Sequence, residues 1–93
     1  MGDCVHTYGG GRWRKHYVGV VVHWAAGGMT TPLEVVWDDG RRLPVEQVAH
    51  PRHERVRKVG GAALRYPVRI YGKPRDLYRD DTGWFDVVRT FWP

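Results

Sequence analysis

Cysteine and serine are almost missing from this sequence of 93 residues, which has one cysteine, Cys4, and no serine. A single cysteine excludes an intramolecular disulfide framework and fits a reducing compartment, so we predict a cytoplasmic protein. Cys4 lies in a glycine-rich stretch, and the glycines at 9–11 lack the Gly-Lys-Ser/Thr ending of a phosphate-binding loop. The sequence therefore offers no recognisable set of nucleophile, base and orienting group for catalysis. We therefore predict that the protein is not an enzyme and holds no cofactor.

Long apolar runs are also missing, and none approaches the roughly 18 residues that a membrane-spanning helix needs. The apolar stretch 17–26 follows a basic cluster at 12–16 and imitates a secretory signal. Against that interpretation, His23 interrupts the stretch and valine stands where leucine is usual. We expect neither a signal peptide nor a membrane partner.

Lysine is scarce, with three residues against twelve arginines, and the formal net charge is +5. Because the planar guanidinium forms bidentate contacts with phosphate and stacks on aromatic rings, this bias suits an anionic partner. Codon usage in a GC-rich genome also favours arginine over lysine and would explain the bias. That explanation leaves the positive charge itself unexplained.

The length allows one domain, and 42% hydrophobic with 27% charged residues is ordinary for a globular chain. Residues 1–11 are polar and rich in glycine, which predicts a flexible N-terminal arm. Residues 12–93 are then expected to form a single small β domain.

Alternation of apolar and polar residues predicts five or six short strands and no helix of three turns. Residues 38–41 contain an Asp-Gly pair between two alternating runs, the strongest short signal for a hairpin. Pro44 indicates an edge strand or a bulge, or alternatively the start of a single helical turn. Residues 49–63 show no period and are interpreted as a long loop. The predicted strands lie at 17–24, 33–37, 43–45, 64–70, 77–78 and 84–90.

Short strands with turns every 8–12 residues are typical of a small antiparallel barrel or sandwich, so the predicted class is all-β, an SH3-like or related barrel. Closure would also remove the exposed sheet edges that so valine-rich a chain must avoid. The predicted core consists of Val20, Val22, Val35, Trp37, Val45, Tyr66, Val68, Ile70, Leu77, Phe85 and Val87.

From Pro32 onward the chain carries Trp-Asp-Asp-Gly-Arg-Arg at 37–42 and Leu-Arg-Tyr at 64–66. Leu-Tyr-Arg-Asp follows at 77–80 and Thr-Gly-Trp at 82–84. In this pattern the chain resembles a family of small bacterial all-β proteins of unknown function. It is also similar to the small β domain that accompanies some translesion DNA polymerase homologues. The resemblance implies a small all-β fold with a loose association with nucleic-acid metabolism, and it supplies no catalytic residue.

Basic residues cluster at 12–16 around Trp13, at 52–58, and along the strand 64–70 with Tyr71 beside it. Cationic side chains neutralise phosphates and aromatic rings offer platforms for bases, a combination that small β-barrels use for single strands and RNA loops. We predict a non-catalytic nucleic-acid-binding module with little sequence readout. An ordinary solvated surface on an arginine-rich protein is the alternative. The predicted contact residues are Arg14, Lys15, Arg52, Arg55, Arg57, Arg65 and Arg69.

Aromatic residues suggest a second class of function. Apolar area would be exposed at Trp13, Trp84, Phe91 and Trp92. The alternative is that Phe91 and Trp92 fold back and fill one end of the barrel. An exposed patch of this kind is typical of a protein–protein adaptor or a small homodimer.

Histidines raise two further hypotheses. Cys4, His6, His50 and His53 offer one sulfur and three nitrogens, a set that zinc accepts in tetrahedral geometry. The short Cys-x-His spacing is weak support, and a flexible arm that carries Cys4 without binding metal is the alternative. His23 is either a structural hydrogen-bonding residue on its strand or a buried acid–base group.

Overall fold

Nine antiparallel strands form one sheet in the part of the chain that this computed structural model describes, residues 5–8 and 11–89. These two ranges contain no helix, and hence none long and apolar enough to cross a membrane. The all-β class is confirmed, whereas the count of five or six strands is wrong. The strands are β1 (Val5–Tyr8), β2 (Gly11–Trp24), β3 (Thr30–Val36), β4 (Arg42–Pro44), β5 (Gln47–Val48), β6 (Arg52–Arg55), β7 (Ala62–Ile70), β8 (Lys73–Arg79) and β9 (Trp84–Arg89).

Strand β2 organises the sheet because each of its halves pairs with a different strand. Residues 13–18 pair with β9, and residues 19–24 pair with β3. The short β1 lies beside the beginning of β2. A register shift between Val21 and Val22 interrupts the β2–β3 ladder, and such irregularities bend a strand and increase its twist. The long valine-rich strand therefore supports two parts of the sheet at once.

Residues 42–48 connect the two edges of the sheet, whose strand order is β4-β3-β2-β9-β8-β7-β5, with β6 also paired to β7. The Val45 N–H donates to the Leu33 carbonyl at 2.9 Å. The next N–H, that of Glu46, donates to the Arg69 carbonyl at 2.8 Å. The chain thus passes from the edge of β3 to the edge of β7 within two residues, and the sheet curls into a half-barrel.

The hairpin predicted at 38–41 is confirmed between β3 and β4. Gly40 has a φ of 87°, which glycine adopts without a steric penalty, and the Trp37 N–H donates to the Arg41 carbonyl at 2.8 Å. Pro44 lies in β4 at the sheet edge, so the edge-strand interpretation is correct and the helical turn is not formed. A proline fits there because an edge strand has backbone positions with no ladder bond to donate.

The inner face of the curled sheet carries the main hydrophobic core, formed by β3, β7 and β8. Half-buried side chains, among them Trp37 and Trp84, close over it. The predicted core residues that are buried are Val35, Tyr66, Val68, Ile70, Leu77 and Phe85. Those that are half-buried are Val20, Trp37, Val45 and Val87, which pack on a cluster, and Val22, which joins neither cluster.

A second cluster covers the opposite face of the sheet. Phe85 is fully buried there with Val56, Val59 and Ala63. The prediction of a long loop over 49–63 is therefore wrong, because β6 and the start of β7 occupy much of it and its two valines are core residues. The sequence shows no apolar–polar alternation here because β6 carries polar side chains on both faces. Val56 and Val59 are three residues apart, which is not the spacing of one face of a strand.

The two ends of the chain bear on two further predictions. Within the predicted arm, residues 5–8 form β1, and residues 1–4 and 9–10 lie outside the described residues. The flexibility of the arm stays a prediction. Residues 90–93, which include Phe91 and Trp92, also lie outside the described residues, so the prediction that these rings plug the barrel or form a patch is not tested.

Candidate nucleic-acid interface

The turn at 56–61 connects β6 to β7 and is held by its own backbone. The Val56 N–H donates to the Gly61 carbonyl at 2.9 Å, and the Gly60 N–H donates to the Val56 carbonyl at 2.7 Å. Gly60 and Gly61 have φ values of 79° and 77°, a left-handed conformation that favours glycine. The Gly-Gly pair in the sequence therefore encodes a tight return rather than a flexible loop.

Two cations lie at the exposed tip of this turn because the valines on either side of them are buried. Val56 and Val59 point into the second cluster, which leaves Arg57 and Lys58 in solvent. The Lys58 Nζ lies 3.9 Å from the centroid of the Trp13 ring. This cation–π contact orients the lysine without neutralising its charge.

A surface groove of about 550 Å³ lies between this turn and β8, and we call it the basic groove. Among the described residues, four of its cations have no carboxylate partner within 4 Å: Arg55, Arg57, Lys58 and Arg75. Unpaired charge of one sign along a concave surface raises the local concentration of anions. The groove is therefore suited to an anionic ligand.

Arg65 also lines the basic groove, but two carboxylates neutralise it. Its Nε donates to Asp76 Oδ1 at 2.9 Å, and its Nη1 donates to Glu54 Oε2 at 3.1 Å. The hydrogen bonds to Asp76 and to Glu54 raise the pKa of Arg65 above its ordinary value. This predicted contact residue holds β6, β7 and β8 together and is a weak candidate for direct phosphate binding.

Arg52 of β6 and Arg69 of β7 lie on the same face of the sheet as Arg65, outside the basic groove. Arg52 is exposed opposite Arg65 in the β6–β7 pair and lines a shallow depression together with His50. Arg69 is exposed, and its Nη1 donates to the Gly72 carbonyl at 2.8 Å, a neutral partner. Both positions extend the positive surface beyond the groove.

The two predicted contact residues of β2, Arg14 and Lys15, do not line the groove. The Lys15 Nζ donates to Asp80 Oδ2 at 3.0 Å, and the Tyr17 hydroxyl donates to the same oxygen at 2.8 Å. Burial lowers the pKa of Lys15, but the hydrogen bond and charge of Asp80 outweigh burial and raise it overall. Arg14 is half-buried on the opposite face of β2.

Sequence reasoning omitted Lys58 and Arg75 from the contact residues. Lys58 belongs to the basic string 52–58, and its position between two buried valines is the signal that places it at a tip. Arg75 follows a Gly-Lys-Pro segment that predicts a turn, whereas the structure makes the turn at Tyr71 and Gly72 and begins β8 at Lys73. Because the turn comes earlier than predicted, Arg75 lies within β8, and its side chain lines the groove.

His16 is buried between two carboxylates, which no local pattern indicates. Its Nδ1 lies 2.9 Å from Asp86 Oδ1, and its Nε2 lies 2.7 Å from Asp38 Oδ2. Burial lowers the pKa of His16, but the hydrogen bonds to Asp38 and Asp86 outweigh burial and raise it above 6.5. Burial raises the pKa of Asp86. His23, in contrast, is exposed, which excludes the interpretation of a buried acid–base group at that position.

The metal hypothesis stays a prediction. His50 and His53 are exposed, and nothing is described of the side chains of Cys4 and His6. Within residues 5–8 and 11–89, no three histidine, cysteine or acidic side chains are grouped as a metal site requires. His16 does not change this, because both of its ring nitrogens already face carboxylates.

We expect the stability of the protein to fall as pH rises above about 6.5, because the folded state holds the His16 proton more tightly than the unfolded state does. This contribution is complete below the unfolded pKa and is lost as pH passes through the raised folded value. Thermal unfolding across this range should show the fall in wild type and in His23→Gln, and lose that component in His16→Gln. Identical pH profiles for wild type and His16→Gln would contradict the assignment.

No family model, curated protein or solved structure matches this chain. The case for a function therefore depends on the geometry described above and on the residue patterns of the sequence.

Proposed function

We propose that this protein is a non-catalytic nucleic-acid-binding module that holds the phosphate backbone in the basic groove. The four unpaired cations of the groove, Arg55, Arg57, Lys58 and Arg75, carry this proposal. Arg52 of β6 and Arg69 of β7 extend the contact beyond the groove, and binding has little sequence readout at the groove itself. The resemblance to the β domain of translesion polymerase homologues supports the same assignment. Within this proposal the protein acts in the bacterial cytoplasm.

The energetic argument concerns the partners of each cation. Two exposed arginines outside the groove are paired with carboxylates, since Arg41 lies 2.7 Å from Asp39 and Arg42 lies 3.3 Å from Glu34. Three carboxylates line the basic groove: Glu54 and Asp76 pair with Arg65, and Asp86 bonds His16. Burial raises the pKa of Asp86, and the charge of Arg75 acts in the opposite direction, so Asp86 offsets part of the charge of Arg75. Mutual repulsion of the remaining cations disfavours their clustering unless an anion relieves it. The phosphodiester backbone of a nucleic acid supplies such charges at regular spacing and releases counterions when bound.

Fluorescence anisotropy with labelled single-stranded and duplex oligonucleotides tests the proposal. Four phosphate contacts predict a log–log salt slope of about −3.6 for duplex DNA and about −2.8 for single strands. Between about 50 and 200 mM salt, affinity should then fall roughly 150-fold for duplex and 50-fold for single strands. Absence of binding at the lower salt concentration would overturn the proposal.

A protein–protein adaptor or homodimer is the second candidate, and a different surface favours it. Trp24, Met29 and Leu33 on the β2–β3 hairpin are exposed. Two of the tryptophans first suggested for this role are engaged within the fold, because Trp13 contacts Lys58 and Trp84 packs on Tyr66. An apolar contact of this kind should be indifferent to salt or tighten as salt rises, opposite to the behaviour expected of the groove.

A further inference from the structure

A second cavity lies on the inner face of the curled sheet, beneath the β3–β4 hairpin. It has a volume of about 260 Å³, and we call it the inner pocket. Its walls are apolar side chains, including Val35, Leu43 and Val68, together with the indole of Trp37. This volume is below the range of roughly 300–1,000 Å³ of sites for drug-sized ligands, so the pocket suits a single ring system.

Polar groups converge on the inner pocket from its rim. Asp86 Oδ1 is 2.9 Å from His16 Nδ1, whereas Asp86 Oδ2 accepts no hydrogen bond from another described residue. Arg41 and Arg75 also line the rim. Because a carboxylate has about four lone-pair sites, Asp86 retains the capacity to accept two further donors.

Tyr71 stands at the mouth of the inner pocket in a strained backbone conformation. Its φ is 52°, a left-handed value that an aromatic residue rarely adopts, and its side chain is 67% exposed. Asparagine or glycine would fit this turn position at lower cost. The two-residue turn between β7 and β8 requires positive φ at both of its positions, and it thereby holds the Tyr71 ring at the pocket mouth.

The inner pocket and the basic groove meet where β8 and β9 separate. These strands pair only at Tyr78↔Phe85 and Arg79↔Trp84, next to the turn that joins them. Beyond that point β8 continues along β7 while β9 continues along β2. Three residues at the opening line both cavities: Arg75, Asp76 and Asp86.

We propose that the inner pocket receives one unstacked guanine base of a single strand whose phosphates lie in the basic groove. This inference rests on the function proposed above and adds the base that the module selects. Guanine is the base with two adjacent N–H donors on its Watson–Crick edge, N1–H and the exocyclic amine, which match the remaining acceptor capacity of Asp86. Trp37 and Tyr71 offer aromatic surfaces of the kind on which unpaired bases stack.

The primary test compares a labelled nine-nucleotide thymidine oligomer with oligomers carrying one central guanine, adenine or cytosine. We expect guanine to bind about tenfold tighter than the other three, within the discrimination that a bidentate contact provides. In Asp86→Asn the guanine preference should disappear while affinity for the thymidine oligomer is kept or rises, because a negative charge is removed near the groove.

Asp38→Asn is the matched control, because Asp38 also contacts His16 but does not line the inner pocket. It should keep the guanine preference. Leu43→Trp, which fills the pocket from the half-buried edge strand β4, should remove the preference without changing Asp86. This second variant keeps the test valid if Asp86→Asn fails to fold.

Quenching of tryptophan fluorescence by guanosine 5′-monophosphate separates the two proposals. Salt-sensitive binding of all four oligomers with equal affinity would overturn the guanine pocket and leave the groove proposal standing. Saturable quenching by the guanosine nucleotide, greater than that by the adenosine nucleotide and lost in Leu43→Trp, would support the guanine pocket. The same quenching with no oligomer bound would overturn the groove proposal and leave a pocket for the free nucleotide.

Discussion

Replacing Phe85 with alanine is expected to lower the free energy of unfolding by about 3–5 kcal/mol, the usual cost of truncating a buried aromatic side chain. Phe85 has no exposed surface, and its ring centroid lies 5.3 Å from those of both Tyr17 and Tyr78. The substitution leaves a cavity beneath the turn at 56–61. In a domain of this size the loss corresponds to a fall in Tm of at least ~12 °C. Thermal unfolding followed by circular dichroism measures it.

Leu33→Ala is the control, because Leu33 is 46% exposed and lies in neither cluster. Its effect should be within about 0.5 kcal/mol, as is usual for surface substitutions. A Tm of Phe85→Ala close to that of wild type would show that the second cluster does not hold the turn against the sheet.

The second large effect concerns the basic groove. Reversing two of its unpaired cations, in Arg55→Glu/Arg57→Glu, is expected to weaken oligonucleotide binding at low salt on the order of 100-fold. The log–log salt slope should lose about one unit for each phosphate contact removed. Both side chains are exposed, so the melting temperature should change little. Anisotropy titrations at several salt concentrations give both quantities.

A control with the same change in net charge separates the groove from long-range electrostatics. Arg42→Glu/Lys73→Glu also removes two positive and adds two negative charges, at exposed positions that do not line the groove. The Arg42–Glu34 pair that it breaks is exposed and worth under about 1 kcal/mol. Equal weakening in the two double variants would mean that the groove has no special role.

Local signals in the sequence predicted the elements that depend on near neighbours. The hairpin at 38–41 is an example, since its Asp-Gly pair and flanking alternation lie within a few residues. Strict alternation over 64–70 placed Tyr66, Val68 and Ile70 correctly in the core for the same reason. In both cases the residues that decide the structure are adjacent along the chain.

The missed features depend on partners far away in the sequence. The basic neighbours of Lys15 predict a contact residue, but Asp80 pairs with Lys15 from 65 residues away. Arg65 was assigned the same role, and its side chain is taken by Glu54 and Asp76, each 11 residues away. Charge composition predicted a basic surface, but it could not show which cations fold against carboxylates and which stay unpaired.

The pairing of β2 with β9 also has a consequence for biosynthesis. His16 and Asp86, whose side chains meet across this pair, are 70 residues apart, and pairings of such separation are slow to form. A nascent chain can close the β2–β3 and β3–β4 hairpins early, but one edge of β2 has no partner until β9 leaves the ribosome. During that interval the charged residues Arg12, Arg14 and Lys15 can deter other chains from pairing with the open edge. The basic segment of β2 would then protect the newly made protein from aggregation, a role in its synthesis rather than in its folded surface.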